Sequence, residues 1–154
     1  MNNLDPEEKI FAHISLKAVI RKSNNTVLFL KAANSSNEYD LPGGRIHGEE
    51  WDNVHLLKDI LQREITEELG TDIKLDINPH PQWSLRHTSQ TNYFDDGTPR
   101  RSLIILFEAQ YQGGEIALSH EHSEYDWLIP ETSDIEHMML SDIFGKGLKE
   151  YFQH

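Results

Sequence analysis

Residues 41–71 read LPGGRIHGEEWDNVHLLKDILQREITEELGT, a glycine turn followed by a helix with Glu64, Glu67 and Glu68 in its last turns. Residues three and four apart share a helical face. Counted from Leu57 at 100° per residue, Leu57, Leu61, Ile65 and Leu69 fall at roughly 0°, 40°, 80° and 120°, with Val54 in the same arc. They predict the buried stripe. Glu68, Glu64 and Glu67 fall at roughly 20°, 340° and 280°, so the acids are expected along one edge of that stripe instead of on the far face. Three like charges at a half-buried border need a cation, or one must take up a proton. Mg²⁺ or Mn²⁺ suits them, because both are hard ions that accept oxygen ligands.

The competing reading is an amphipathic helix with a solvated acidic flank. Two features weigh against it: acids near a helix C-terminus oppose the helix dipole, and Leu-Pro-Gly-Gly sets a tight turn directly upstream. The helix is predicted from about Asn53 to Leu69, with Asp52 or Asn53 as N-cap and Gly70 ending it.

The stretch resembles the signature of the Nudix hydrolases. Gly44 and Glu50 have its first spacing, and Arg63, Glu64, Ile65, Glu67, Glu68 and Gly70 match its second half. Two departures stand out: twelve residues separate Glu50 from Arg63 where the signature has seven, and Thr71 replaces an aliphatic. The five extra residues are expected to extend the loop around residues 51–54. The resemblance implies a Nudix-type α/β/α sandwich with a mixed β-sheet. It also implies that the Gly43 carbonyl is a metal ligand and that an acid before a Trp-containing strand joins it. Glu121 is nominated for that acid, with Glu124 as rival. His47 stands where many relatives carry an acid and is left unassigned, an exposed loop histidine being the common outcome.

A chain of 154 residues predicts one domain over 1–154 with a substantial core. Hydrophobic content of 37%, with three Trp, five Tyr and six Phe, excludes global disorder. No apolar run reaches transmembrane length, and MNNLDPEEK lacks the features of a secretion signal. The chain has no cysteine, so disulfide and thiol chemistry are excluded. A cytoplasmic location is the expectation compatible with this. Net charge of −12 disfavours stable binding to nucleic acid or anionic membrane. A phosphate substrate stays compatible, because a bound divalent ion reverses the sign of its site.

Outward from the signature, FAHISLKAVI and VLFLK predict a strand hairpin. AANSSNEYD is a polar loop, either approaching substrate or merely exposed. IKLDI and QWSLRH are strand candidates, and SQTNYFDDGTPRR contains an Asp-Gly turn. Arg86, Arg100 and Arg101 are candidate phosphate-binding cations, with surface ion pairing as the competing role. Tyr93 and Phe94 either stack on a base or pack in a hairpin. SLIILFEAQ predicts a central strand, and residues 131–139 a helical turn with Met138 and Met139 in the core. Residues around 143–152 predict a last helix, against which Trp127 and Leu128 are expected to pack.

The chemistry these residues support is hydrolysis of a phosphoanhydride, in a nucleoside diphosphate linked to another moiety. Glu67 and Glu68 are expected as the principal metal ligands, assisted by Gly43, Glu50 and Glu121. Glu64 is either a further ligand or the group that orients and deprotonates water. Arg63 fixes a glutamate or the glycine turn. The alternatives are a phosphomonoesterase or metal-dependent isomerase, and a non-catalytic nucleotide sensor or regulatory domain. Similar proteins suggest a homodimer.

Overall fold

The computed structural model describes residues 5–33 and 38–154. In chain order its elements are β1 (His13–Arg21), β2 (Val27–Ala32), β3 (Tyr39–Asp40), β4 (Gly43–Arg45), α1 (Gly48–Asn53) and α2 (Leu57–Leu69). There follow β5 (Lys74–Ile77), β6 (Trp83–Tyr93), β7 (Pro99–Gly113), β8 (His122–Leu128), α3 (Ile135–Met138) and α4 (Asp142–Gln153). Of the polar loop AANSSNEYD, expected either to approach substrate or to be merely exposed, residues 34–37 lie outside the described residues, while Ala32 belongs to β2 and Tyr39–Asp40 form β3.

Strands β1 and β7 run parallel in unbroken register from His13↔Ser102 to Arg21↔Gln110, and this pair is the spine of the sheet. The remaining partners are antiparallel: β5 and β6 on β7, β3 and β8 on β2, and β4 on β1. The predicted hairpin of β1 and β2 therefore exists only at its base, where Arg21 faces Val27. Beyond that point β2 turns to β8, and β4 takes the vacated edge of β1. This splay brings the glycine turn beside the middle of β1.

Strand alternation sends side chains to two cores. On one face Leu16, Ala18, Ile20, Leu28, Leu30, Phe107 and Ala109 pack with Ile60, Leu61, Ile65 and Leu69 of α2. On the other, Val19, Val27, Phe29, Ile104 and Leu106 pack with Ile135 of α3 and with Phe144 and Leu148 of α4. The result is a mixed sheet between two helical layers, an α/β/α sandwich. Each fully buried Leu, Ile or Phe contributes about 1.5–3 kcal/mol to holding those layers together. Among the described residues no helix is long and apolar enough to cross a membrane.

Three expectations need correction. The extra residues before the signature helix do not form a loop running into one helix from Asn53. They build α1, which is closed when the Asn53 side chain donates to the Glu49 carbonyl (2.9 Å) and the Val54 amide to that of Glu50 (2.9 Å). Val54 and Leu56 are extended, and α2 starts after Leu56 without a side-chain cap. Second, Trp127 does not pack on the last helix. It lies on the α2 face against Tyr111, with ring centroids 5.2 Å apart, whereas its neighbour Leu128 joins the α4 core. Adjacent strand residues point to opposite faces, so both cannot serve the same helix. Third, Ile60 is also buried; at roughly 300° it widens the apolar arc of α2, and Glu64 and Glu68 lie inside that arc instead of on its edge.

Candidate active site

The turn after β3 fixes the site because it admits only glycine where it crosses β1 and α2. Gly43 has φ +131°, and a Cβ there would stand 2.0 Å from the Leu16 carbonyl oxygen. A Cβ on Gly44 would meet the Glu64 carboxylate at 2.4 Å. The missing side chains let backbone and carboxylate approach. Glu68 accepts from the Gly43 amide at 3.0 Å, so the turn and α2 are joined directly.

Glu64 and Glu68 are only 9% and 6% exposed, unusual burial for carboxylates. Burial pushes the Glu68 carboxyl up to about 7, against the opposing pull of Lys17 and the Gly43 amide. Lys17, paired with Gly43 across β1 and β4, donates to Asp40 Oδ2 at 2.9 Å and to the Leu41 and Gly43 carbonyls at 3.2 Å each. Burial alone would lower its pKa, but Asp40, Glu68 and Glu64 outweigh that and hold it above the ordinary lysine value. Sequence reasoning missed Lys17. Its signal was a lone lysine in the apolar run ISLKAVI, since a buried charge must find partners.

Arg63 organises the other acids. Its guanidinium donates to both oxygens of Glu50 (2.6 and 2.7 Å), to Glu64 (2.8 Å) and to Glu67 (2.9 Å). The bond from Arg63 holds the Glu50 carboxyl below its usual range, and the His47 amide donation at 3.0 Å adds to this. The insertion thus leaves Glu50 in register with Arg63 despite the longer spacing. His47, mostly exposed, lies 4.0 Å from Glu64 and 3.8 Å from Glu50.

A loop from β7 to β8 closes the other side. The amides of Ala117 and Ser119 donate to the carbonyls of Leu69 and Glu68 at 2.8 and 2.9 Å, satisfying the C-terminal end of α2. The Ala33 amide donates to the Glu121 carbonyl at 3.0 Å. A register shift then sets His122 opposite Ala32, so that Ser123 is bulged out. In consequence Glu68, Glu121 and His122 bring ligand atoms within 4.8 Å of one another. Glu124, the rival to Glu121, instead pairs with Lys31 at 3.8 Å. Burial, with Lys17, holds the His122 imidazole below its usual pKa against the opposing pull of Asp40 and Glu121.

These groups border a cleft of about 500 Å³. One wall carries Lys17, Asp40, Gly43, Gly44, Arg45, Glu64 and Glu68; the other includes His87, Ser102, Leu140 and Phe144, with Glu121 and His122 at the end. A smaller adjoining cleft is lined by Glu64, Glu67, Glu68 and Glu121. Glu50 lines neither. Nor do Arg86, Arg100 and Arg101, the candidate phosphate cations. The alternation of β6 and β7 turns His87 and Ser102 inward and their neighbours Arg86 and Arg101 outward. Arg100 lies over the Phe94 ring at 4.5 Å, in a hairpin beyond the cleft. The cations that do line the cleft are Lys17 and Arg45.

Among the described residues, four carboxylates, Asp40, Glu64, Glu68 and Glu121, thus line the cleft with the cations of Lys17 and Arg45. An anionic phosphate enters such a cleft only with further positive charge. The donor set fits a divalent ion: carboxylate oxygens converge with one imidazole, and His122 Nδ1 is closed off from solvent without a hydrogen-bond partner among the described residues.

A family model described as NUDIX domain matches residues 12–139. No curated protein matches the sequence. Among solved structures, the MutT protein from Methanosarcina mazei Go1 is similar at 24% identity and TM-score 0.65, over 92% of this chain and 91% of that one. The E. coli dihydroneopterin triphosphate pyrophosphohydrolase is similar at 16% identity and TM-score 0.64, over 91% and 94%. A C. elegans Ap4A hydrolase is similar at 18% identity and TM-score 0.60, over 91% and 95%. Identities this low establish shared fold.

Proposed function

The chain belongs to the Nudix family of phosphoanhydride hydrolases, and from that premise we propose that it cleaves the P–O–P bridge of a nucleoside diphosphate linked to another moiety. The observation that carries this is the pair of buried carboxylates, Glu64 and Glu68, under the Gly43–Gly44 turn, with a Glu121 carboxylate oxygen within 4.8 Å of one from Glu68. Glu68 and Glu121 would hold Mg²⁺ or Mn²⁺, with Glu67 and the Gly43 carbonyl as further oxygen donors. When bound, such an ion would supply positive charge for the phosphoryl oxygens and a lowered pKa for the attacking water. Glu64, fixed by Arg63, orients that water and takes its proton, or serves as another ligand. Arg63 acts through the acids it holds, with Glu50 as its anchor. Lys17 and Arg45 offset phosphate charge along the cleft. His87, Ser102, Leu140 and Phe144 form the wall available to the rest of the substrate.

The test is a product-resolved screen of nucleoside triphosphates, nucleotide sugars, dinucleoside polyphosphates and coenzyme diphosphates with Mg²⁺ and Mn²⁺. Two phosphorylated products, or a monophosphate with pyrophosphate, are expected, and the Glu67→Gln/Glu68→Gln double variant should abolish their release. Full activity in that variant defeats the assignment.

A further inference from the structure

We propose that His122 is itself a metal ligand, making the site a mixed oxygen–nitrogen one that binds Mn²⁺ in preference to Mg²⁺. This rests on the metal-dependent reading of the cleft and asks which ion these side chains select.

Geometry is the first support. Donors held at about 2.1 Å from one ion lie about 3 Å apart when adjacent and about 4.2 Å when opposite. The ligand atoms of Glu68, Glu121 and His122, all within 4.8 Å of one another, need little movement to reach such spacing. Glu64 is close enough to influence Glu68, yet the convergent set includes the His122 imidazole and not the Glu64 carboxylate.

The second support is the backbone that aims the ring. A regular β2–β8 ladder would continue from Lys31↔Glu124 to Ala32↔Ser123. The bulge substitutes His122 for Ser123 opposite Ala32, on the α2 side of the sheet where Leu28 and Leu30 also point. Bulges re-aim side chains in this way. Ser119, two residues before Glu121, is bonded through its amide to the backbone of Glu68, so the three donors share one anchored frame. Nδ1 of His122 is meanwhile shielded from water without a partner among the described residues, and an unmade hydrogen bond of that kind is costly.

The third support is ligand chemistry. Mg²⁺ demands oxygen donors and retains its waters; Mn²⁺ also favours oxygen, but it stands at the foot of the first-row series whose ions accept nitrogen, so a mixed donor set penalises it less than Mg²⁺. One nitrogen among carboxylates therefore shifts selectivity without greatly changing the attraction for any divalent charge.

The full chain is titrated with MnCl₂ and MgCl₂ by calorimetry. The Mn²⁺ form is then examined by electron spin echo spectroscopy for coupling to nitrogen, with and without ¹⁵N-histidine labelling. One tight Mn²⁺ site is expected, bound at least about tenfold more tightly than Mg²⁺, with a nitrogen signal that responds to the label. In His122→Ala the signal should vanish and the Mn²⁺/Mg²⁺ preference should fall about tenfold, while Mg²⁺ affinity changes little. His122→Gln, which keeps a polar side chain and the fold, should behave as His122→Ala does. Tight Mn²⁺ binding without nitrogen coupling in the wild type, or an unchanged preference in both variants, overturns the inference and leaves the carboxylate site standing. Absence of a tight site for either ion, with Glu68→Gln indistinguishable from wild type, overturns the inference and the metal-dependent reading together.

Discussion

Replacing Lys17 by Met keeps the apolar stem and removes an ammonium that donates to Asp40, Leu41 and Gly43. The Lys17 and Asp40 side chains are 12% and 15% exposed, so little solvent screening discounts the loss. Breaking one half of a buried pair costs about 3–5 kcal/mol. Proton uptake by Glu68, already pushed up to about 7, relieves part of the strain and brings the expectation to the lower end, about 3 kcal/mol. For a domain of this size that corresponds to a Tm lower by about 6–12 °C. Urea unfolding followed by far-UV circular dichroism at pH 7.5 in EDTA reads the change. Lys17→Met/Asp40→Asn should lose less than the sum of the single variants, with a coupling of about 1 kcal/mol or more. A loss below about 1 kcal/mol, or strict additivity, would show that Lys17 does not hold the glycine turn.

Other consequences follow from the same contacts. Glu68 has a folded-state pKa of about 7, above its ordinary 4.5, so the folded protein binds the extra proton between those values. Stability without metal should fall as pH rises through that window, by on the order of 3 kcal/mol. Glu68→Gln should flatten this slope in urea titrations from pH 4 to 8, and parallel curves would contradict the burial argument. Gly44→Ala introduces a methyl group 2.4 Å from the Glu64 carboxylate; calorimetry should find metal affinity weakened by about tenfold or more with circular dichroism unchanged. Arg63→Lys keeps the charge but cannot bridge Glu50, Glu64 and Glu67 with a planar fork. Its kcat should drop about 10–100-fold, and equal rates would remove Arg63 from the account.

The sequence made α2 legible because its apolar repeat and its acids obey one helical period, and the signature residues fell into place with it. The width of the buried arc was less visible. Ile60 was left out of the predicted stripe, and its burial changes Glu64 and Glu68 from border to interior residues. The split of the insertion into α1 and an extended link depended on Asn53 bonding back to Glu49, a local choice that helical periodicity does not encode. Arg86 was nominated from sequence and its neighbour His87 was not, because alternation gives two faces and only the β6–β7 register says which faces the cleft. His122 was hidden for a stronger reason: its approach to Glu68 needs a bulge and backbone bonds between segments about 50 residues apart. Lys17, by contrast, could have been found as the one charge within the apolar run ISLKAVI.

The central claim is that the carboxylates of Glu68 and Glu121 share a divalent ion beneath the glycine turn. Anomalous diffraction from crystals equilibrated with Mn²⁺ tests it most directly. The account predicts a peak about 2.2 Å from oxygens of both Glu68 and Glu121, lost in Glu68→Gln. A strong peak elsewhere, with Glu68 still bonded only to the Gly43 amide, would contradict it.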